Sequence, residues 1–354
     1  MSLRPRATIH LSNIADNWRR LNALSGQGGA GAVVKADAYG HGAARVSRVL
    51  AAAGCEHFFV AYSFEGAEVR ESVGYGRAIY VFNGGAEVDP ALARSAKLIP
   101  VINSVSELTA WLDQAGDLPY ALHVDTGMNR LGVRSDEVAS AVSLMDNRPP
   151  CLLMTHFACA DTPDASMSAT QLGAFEVVAR ALPRVPISLA NSAAHWLPPK
   201  FRAGLTRPGI ALYGGGNSPA RPDGLKPGLT LTAPILQVQS IPSGETVGYG
   251  ATRRTDTPTL VATAALGYAD GFPRSASNSG FAYLGETRCP VIGRVSMDLI
   301  TLDVSAAAPL AKPGALVEVI GARADLEEQA AAAGTLGYEL ITGLGPRVER
   351  IYED

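Results

Sequence analysis

The chain has 354 residues, 47% of them hydrophobic and 18% charged, and a formal net charge of -3. That length suits one large domain and a smaller one. The charge balance offers no basic footprint for nucleic acid, and no apolar run is long enough to cross a bilayer.

The start, 1–10, carries positive charge with no apolar stretch behind it, so a cytoplasmic protein is expected. From there, short apolar runs alternate with amphipathic stretches. Strands are expected at 32–34, 58–61, 78–82, 98–102, 120–124, 152–155, 187–190 and 209–213, and helical spacing marks 66–72, 106–114 and 171–181. Eight runs joined by crossover helices can close on themselves. A (β/α)8 barrel over 12–228 is therefore the economical α/β reading, with a doubly wound open sheet as its rival.

Gly26-Gln-Gly28-Gly-Ala-Gly31 has the spacing of a dinucleotide fingerprint, but a strand follows it where a helix should. His-Glu-x-x-His, Gly-x-Ser-x-Gly and the phosphate-loop pattern are all missing from the chain. Cys55, Cys151, Cys159 and Cys289 are scattered without a Cys-x-x-Cys pair, so buried thiols are expected and no metal.

The segment 214–228 is rich in turn formers and reads as a domain boundary. Beyond it, short alternating runs broken by Pro-Ser-Gly and Lys-Pro-Gly predict a mostly β domain over 229–354, with which 1–11 could pack. One helix is expected after Asp325, an acceptable N-cap, as far as Gly334.

Chemistry concentrates where the strands end. Val-Val-Lys35-Ala-Asp-Ala-Tyr39-Gly-His-Gly places an amine at the rim of an apolar strand, where desolvation lowers its pKa and lets it attack a carbonyl. Pyridoxal phosphate needs such a lysine for its aldehyde and nearby donors for its phosphate. In a barrel, the same rim holds Asp125 to Arg130 after the fifth strand, His156 after the sixth and Asn191-Ser192 after the seventh. Arg207-Pro-Gly209-Ile210 introduces the eighth. Ser192 and the amides around Gly209 then fall where barrels commonly bind phosphate. Individually, Ser192 could be a helix cap, His156 a core histidine, and Arg130 and Arg207 ion-pair partners.

These motifs, with Gly248-Tyr249-Gly-Ala, Gly267-Tyr268-Ala-Asp-Gly and Gly293-Arg-Val-Ser-Met297-Asp298, resemble the alanine racemases of the pyridoxal-phosphate barrel class. The resemblance runs from about Arg6 to the last residues. It implies racemisation of L- and D-alanine by two bases, Lys35 holding the cofactor on one face of the substrate carbon and Tyr249 standing on the other. The product would supply peptidoglycan or feed alanine breakdown. It further implies Tyr39, Ser192, Gly209, Ile210 and Tyr338 on the cofactor phosphate, Arg207 at the pyridine nitrogen with His156 beside it, and Arg130 at the phenolic oxygen and the substrate carboxylate. Met297 would assist Arg130, with Asp298 beside it, and Tyr268 would limit substrate size. In the family the second-domain residues come from the other subunit, so a homodimer with shared sites is implied.

The chain departs from the family pattern at His123, where many relatives carry a lysine that can be carbamylated to orient the motif arginine. Asn129 replaces a common glycine. A broader-specificity racemase, a single-domain pyridoxal-phosphate binder and a related decarboxylase are the alternatives. The second-domain motifs speak against the last two.

Overall fold

Seven short parallel strands form a sheet in the order in which they occur along the chain: Ala32–Val33, His57–Val60, Ala78–Val81, Leu98–Ile102, Ala121–Asp125, Leu152–Met154 and Ile187–Ser188. The computed structural model describes residues 3–162, 166–216 and 224–354. Helices such as Ser63–Val73, Val105–Gln114 and Ser166–Ala181 cross between the strands. Sequential parallel order with helical crossovers is the signature of a (β/α)8 barrel.

The eighth position differs from the sequence expectation. The segment 205–208 closes the ring: Leu205 N–H donates to Ile187 O at 2.9 Å, Gly31 N–H to Thr206 O at 2.9 Å and Val33 N–H to Pro208 O at 2.9 Å. The apolar run expected as a strand at 209–213 is instead a 3-10 turn, Ile210–Tyr213. Its all-round burial mimics a core strand, but the Ser192 hydroxyl takes up the Gly209 and Ala211 amides and bends the chain. The glycines of the false fingerprint serve this closure. A Cβ on Gly28 would lie 2.3 Å from the Gly204 carbonyl carbon.

The chain divides into two compact units, Ile14–Leu225 and Met1–Asn13 with Lys226–Asp354. The boundary segment expected at 214–228 falls in part, at 217–223, outside the described residues. The second unit is built on the long strand Leu229–Ile241. Arg6–His10 pairs antiparallel with its first half and parallel with Glu349–Glu353, and Thr259–Ala264 pairs with its second half. The expected helix, Leu326–Ala332, follows the Asp325 cap, whose carboxylate accepts the Glu327 and Glu328 amides at 2.9 and 3.1 Å. A second short helix, Gly337–Thr342, comes after it, where the sequence expectation had a single helix.

Candidate active site

Lys35 leaves the first barrel strand half-buried, with its Nζ 5.8 Å from the centre of the Phe82 ring. Burial lowers its pKa, the Arg130 charge lowers it further, and Glu65 works against both. The next four residues, Ala36 to Tyr39, have φ between 51° and 54°, a left-handed turn without a glycine. Such a conformation costs roughly 1–2 kcal/mol per residue, so neighbours must hold it. They do so at both ends. Ala36 N–H donates to Glu65 Oε1 at 2.7 Å, and Ala43 N–H to Asp37 Oδ1 at 2.7 Å. His41 Nδ1 faces the Ala38 and Tyr39 carbonyls at 3.1 and 2.9 Å, so it carries the proton. The Tyr213 ring stacks on Tyr39 and His41, with centroids 5.0 and 4.5 Å away.

The turn aims the Tyr39 phenol at Gly209. A Cβ there would lie 2.4 Å from Tyr39 Oη, so only glycine allows the approach. Ser192 Oγ accepts from Gly209 N–H at 2.8 Å and Ala211 N–H at 3.2 Å. A phenol, a hydroxyl and backbone amides thus meet at one spot, with Ile210 buried behind it. That donor set, with no room for a side chain, fits a phosphate group.

Arg207 is 2% exposed. Its Nη1 donates to Ser188 Oγ at 2.5 Å, and its Nη2 to Thr155 O at 2.6 Å and Leu189 O at 3.4 Å. Nε has no partner among the described residues. Burial pulls the guanidinium down to about 9, which still leaves a cation at neutral pH. His156 lies half-buried in the field of this charge. Burial first, then Arg207 and Arg130, push its pKa well below the ordinary value, so it is neutral. Gln171 holds its backbone, donating from Nε2 to His156 O at 2.9 Å and accepting Ala158 N–H at 2.9 Å.

Arg130 rides on a loop wound around Asp125, whose Oδ1 accepts Gly127 and Asn129 N–H at 2.9 and 3.1 Å. Asn129 sits at φ 56°, a left-handed position that asparagine tolerates. The Arg130 side chain is exposed and makes no hydrogen bond to another described residue. His123 is buried enough, and close enough to Arg207 and Arg130, that its pKa drops to about 4.

The remaining candidates belong to the second unit. Tyr249 is 73% exposed on a loop whose Gly248, Gly250 and Ala251 have φ of 71°, 73° and 50°. With Arg294 and Ser296 it lines a cavity of about 560 Å³. Tyr268 and Met297 are also exposed, and their two turns are joined. Tyr268 N–H donates to Ser296 O at 3.1 Å and Ala269 N–H to Met297 O at 3.0 Å. Arg347 straps the same turns together, with Nε 2.9 Å from Asp270 Oδ1 and Nη1 2.7 Å from Asp298 Oδ1. Tyr338 stands half-exposed near the start of the short helix Gly337–Thr342.

Two family models match nearly end to end: the alanine racemase N-terminal domain over residues 9–217 and the alanine racemase C-terminal domain over 228–352. The chain belongs to the alanine racemase family. An alanine racemase of Cereibacter sphaeroides is 44% identical over 347 residues, 98% of this chain and 97% of the relative. One of Acidiphilium cryptum is 44% identical over 98% of both. Among solved structures, alanine racemase from Bartonella henselae with covalently bound pyridoxal phosphate superposes with a TM-score of 0.92, at 32% identity over 99% of this chain and 100% of that one. The biosynthetic alanine racemase of Pseudomonas aeruginosa gives 0.91, at 36% identity over the full length of both.

Motif reading missed Glu65, Asn103, Gln171 and Arg347. Glu65 lies one residue before the helical spacing expected at 66–72 and is the third residue of the observed helix Ser63–Val73, whereas the other three act through contacts far apart in sequence.

Proposed function

We propose that this chain interconverts L- and D-alanine on pyridoxal phosphate, with Lys35 and Tyr249 as the bases. The observation that carries the reading is the barrel rim itself, where the Lys35 amine, lowered in pKa by burial and by Arg130, shares one face with the Tyr39, Ser192 and Gly209 cradle. When bound, the cofactor supplies an electron sink for the negative charge that develops on the substrate carbon.

The chain's residues do the rest. The cradle, completed by the Ile210 amide and Tyr338, holds the phosphate and leaves Lys35 to swing between holding the cofactor and moving a proton at its Nζ. Arg207, whose Nε has no partner among the described residues, would face the ring nitrogen and could not give up its proton there, which would leave that nitrogen unprotonated and restrain side reactions. His156, held neutral, shares that wall. Arg130 and the Met297 amide orient the substrate carboxylate, Asp298 steadies that turn, and Tyr268 restricts side-chain size.

Inversion requires a second base on the opposite face, and Tyr249 fills that role. Because its own unit leaves it displayed to the outside, it serves the barrel of a second copy in a homodimer with two shared sites. The enzyme acts in the cytoplasm and supplies D-alanine for peptidoglycan or passes alanine to breakdown. Chiral analysis of alanine incubated with the purified protein and cofactor tests the activity. Borohydride reduction followed by peptide mapping tests the lysine, and a chain that racemises nothing, or carries no pyridoxyl group at Lys35, defeats the reading.

A further inference from the structure

Glu65 is 8% exposed, and its carboxylate is engaged entirely by backbone. As the third residue of the helix Ser63–Val73 it does what a glutamate there usually does, reaching back with Oε2 to the amides before the helix, Ala61 at 2.8 Å and Tyr62 at 3.1 Å. The other oxygen does something a cap does not require. Oε1 accepts the Ala36 N–H at 2.7 Å, from the loop after a different strand, at the first residue of the left-handed turn. One carboxylate therefore ties the loop bearing Lys35 to the loop after the next strand.

We propose that Glu65 is the positioning residue of Lys35: by fixing the Ala36 amide it sets the direction in which the amine meets the cofactor aldehyde. The inference rests on the reading that Lys35 carries pyridoxal phosphate. Ala36 to Tyr39 could relax toward ordinary φ values if the first amide were released, and Lys35 would turn with it. Glu65 also places a negative charge near the amine, opposing the effects of burial and of Arg130. Glutamine cannot substitute, since its NH₂ would face a backbone N–H on one side or the other. Aspartate keeps the charge and a cap but is one methylene too short to span both loops.

The test compares wild type, Glu65→Gln, Glu65→Asp and Val69→Ala. Val69 lies on the same helix, fully buried, so its truncation controls for lost stability. Each apoprotein is mixed with pyridoxal phosphate, quenched with borohydride at intervals, and scored for pyridoxyl-Lys35 by mass spectrometry. Binding of pyridoxamine phosphate, which has no aldehyde, is followed in parallel. Both Glu65 variants should attach the cofactor about tenfold more slowly while holding pyridoxamine phosphate nearly as well as wild type. Val69→Ala should attach at the wild-type rate. Wild-type attachment in Glu65→Asp or Glu65→Gln, or equal slowing in Val69→Ala, overturns the proposal. Wild type that never labels Lys35 instead overturns the functional reading on which it rests.

Discussion

The side-chain oxygen of Asn103 lies 2.9 Å from Nδ1 of His123. Its orientation is not free, because Asn103 Nδ2 donates to Phe82 O at 2.8 Å and Val101 O at 2.9 Å. The oxygen can only accept, so Nδ1 carries the hydrogen and Nε2 of the neutral ring keeps its lone pair. Nitrogen NMR of labelled protein should therefore find His123 as the Nδ1–H tautomer, with no titration until the pH nears about 4. Asn103→Ala should let both tautomers appear. A His123 that titrates at its ordinary value in wild type would remove this account.

Neutral buried histidines make stability depend on pH. Burial lowers both His123 and His195 from 6.5 to about 4, with the Arg207 charge adding to the effect at His123 and that of Arg202 at His195. The unfolded chain binds these protons more readily than the folded one. Stability is thus full above pH 6.5 and declines as the pH falls from there toward 4, by up to about 1.4 kcal/mol per pH unit for each ring. Denaturant midpoints between pH 7 and pH 4.5 should trace this loss. His195→Gln should start less stable, having lost bonds to Asn191 O and Thr206 Oγ1, but show a shallower slope. An unchanged slope would mean that other groups govern the acid limb.

Tyr249→Phe should lower turnover in both directions by roughly 10²–10⁴-fold, the range for removing a positioned acid–base group. Because Tyr249 is exposed on its own unit, the melting temperature should hardly move. The cofactor should still be trapped on Lys35 by borohydride. Near-normal racemisation by this variant would dismiss the second base.

Arg347→Ala should leave the barrel untouched and loosen the Tyr268 and Met297 turns that Arg347 bridges through Asp270 and Asp298. The expected signature is a KM for alanine raised several-fold with a smaller change in kcat. Arg347→Lys should recover only part of it, since an ammonium lacks the fork that reaches two carboxylates at once. A fall in kcat alone would assign Arg347 elsewhere.

The rim was legible because barrel active sites sit where strands end, and strand ends follow from hydrophobic runs. Lys35, Tyr39, Ser192 and Gly209 could be placed side by side from eight short segments, although the eighth was displaced by a few residues. That slip has a physical cause: Gly209 to Tyr213 is buried on every side, and periodicity cannot separate a buried turn from a buried strand when a distant hydroxyl decides the matter. For the same reason Asn103 and Arg347 stayed silent. Each has an ordinary residue type at an ordinary position, and its role exists only once remote loops or carbonyls are brought to it. The left-handed course of Ala36 to Tyr39 was equally hidden, because alanine, aspartate and tyrosine do not advertise positive φ.

The strand Arg6–His10 pairs on one side with the beginning of Leu229–Ile241 and on the other with Glu349–Glu353. Residues 6–10 leave a ribosome long before 349–353 and must therefore wait for them, while the intervening Ile14–Leu225 unit has its whole sequence available much earlier. Maturation of the unit that carries Tyr249 thus follows that of the barrel unit. A nascent chain stalled before residue 349 should hold a formed barrel with a protease-sensitive amino end.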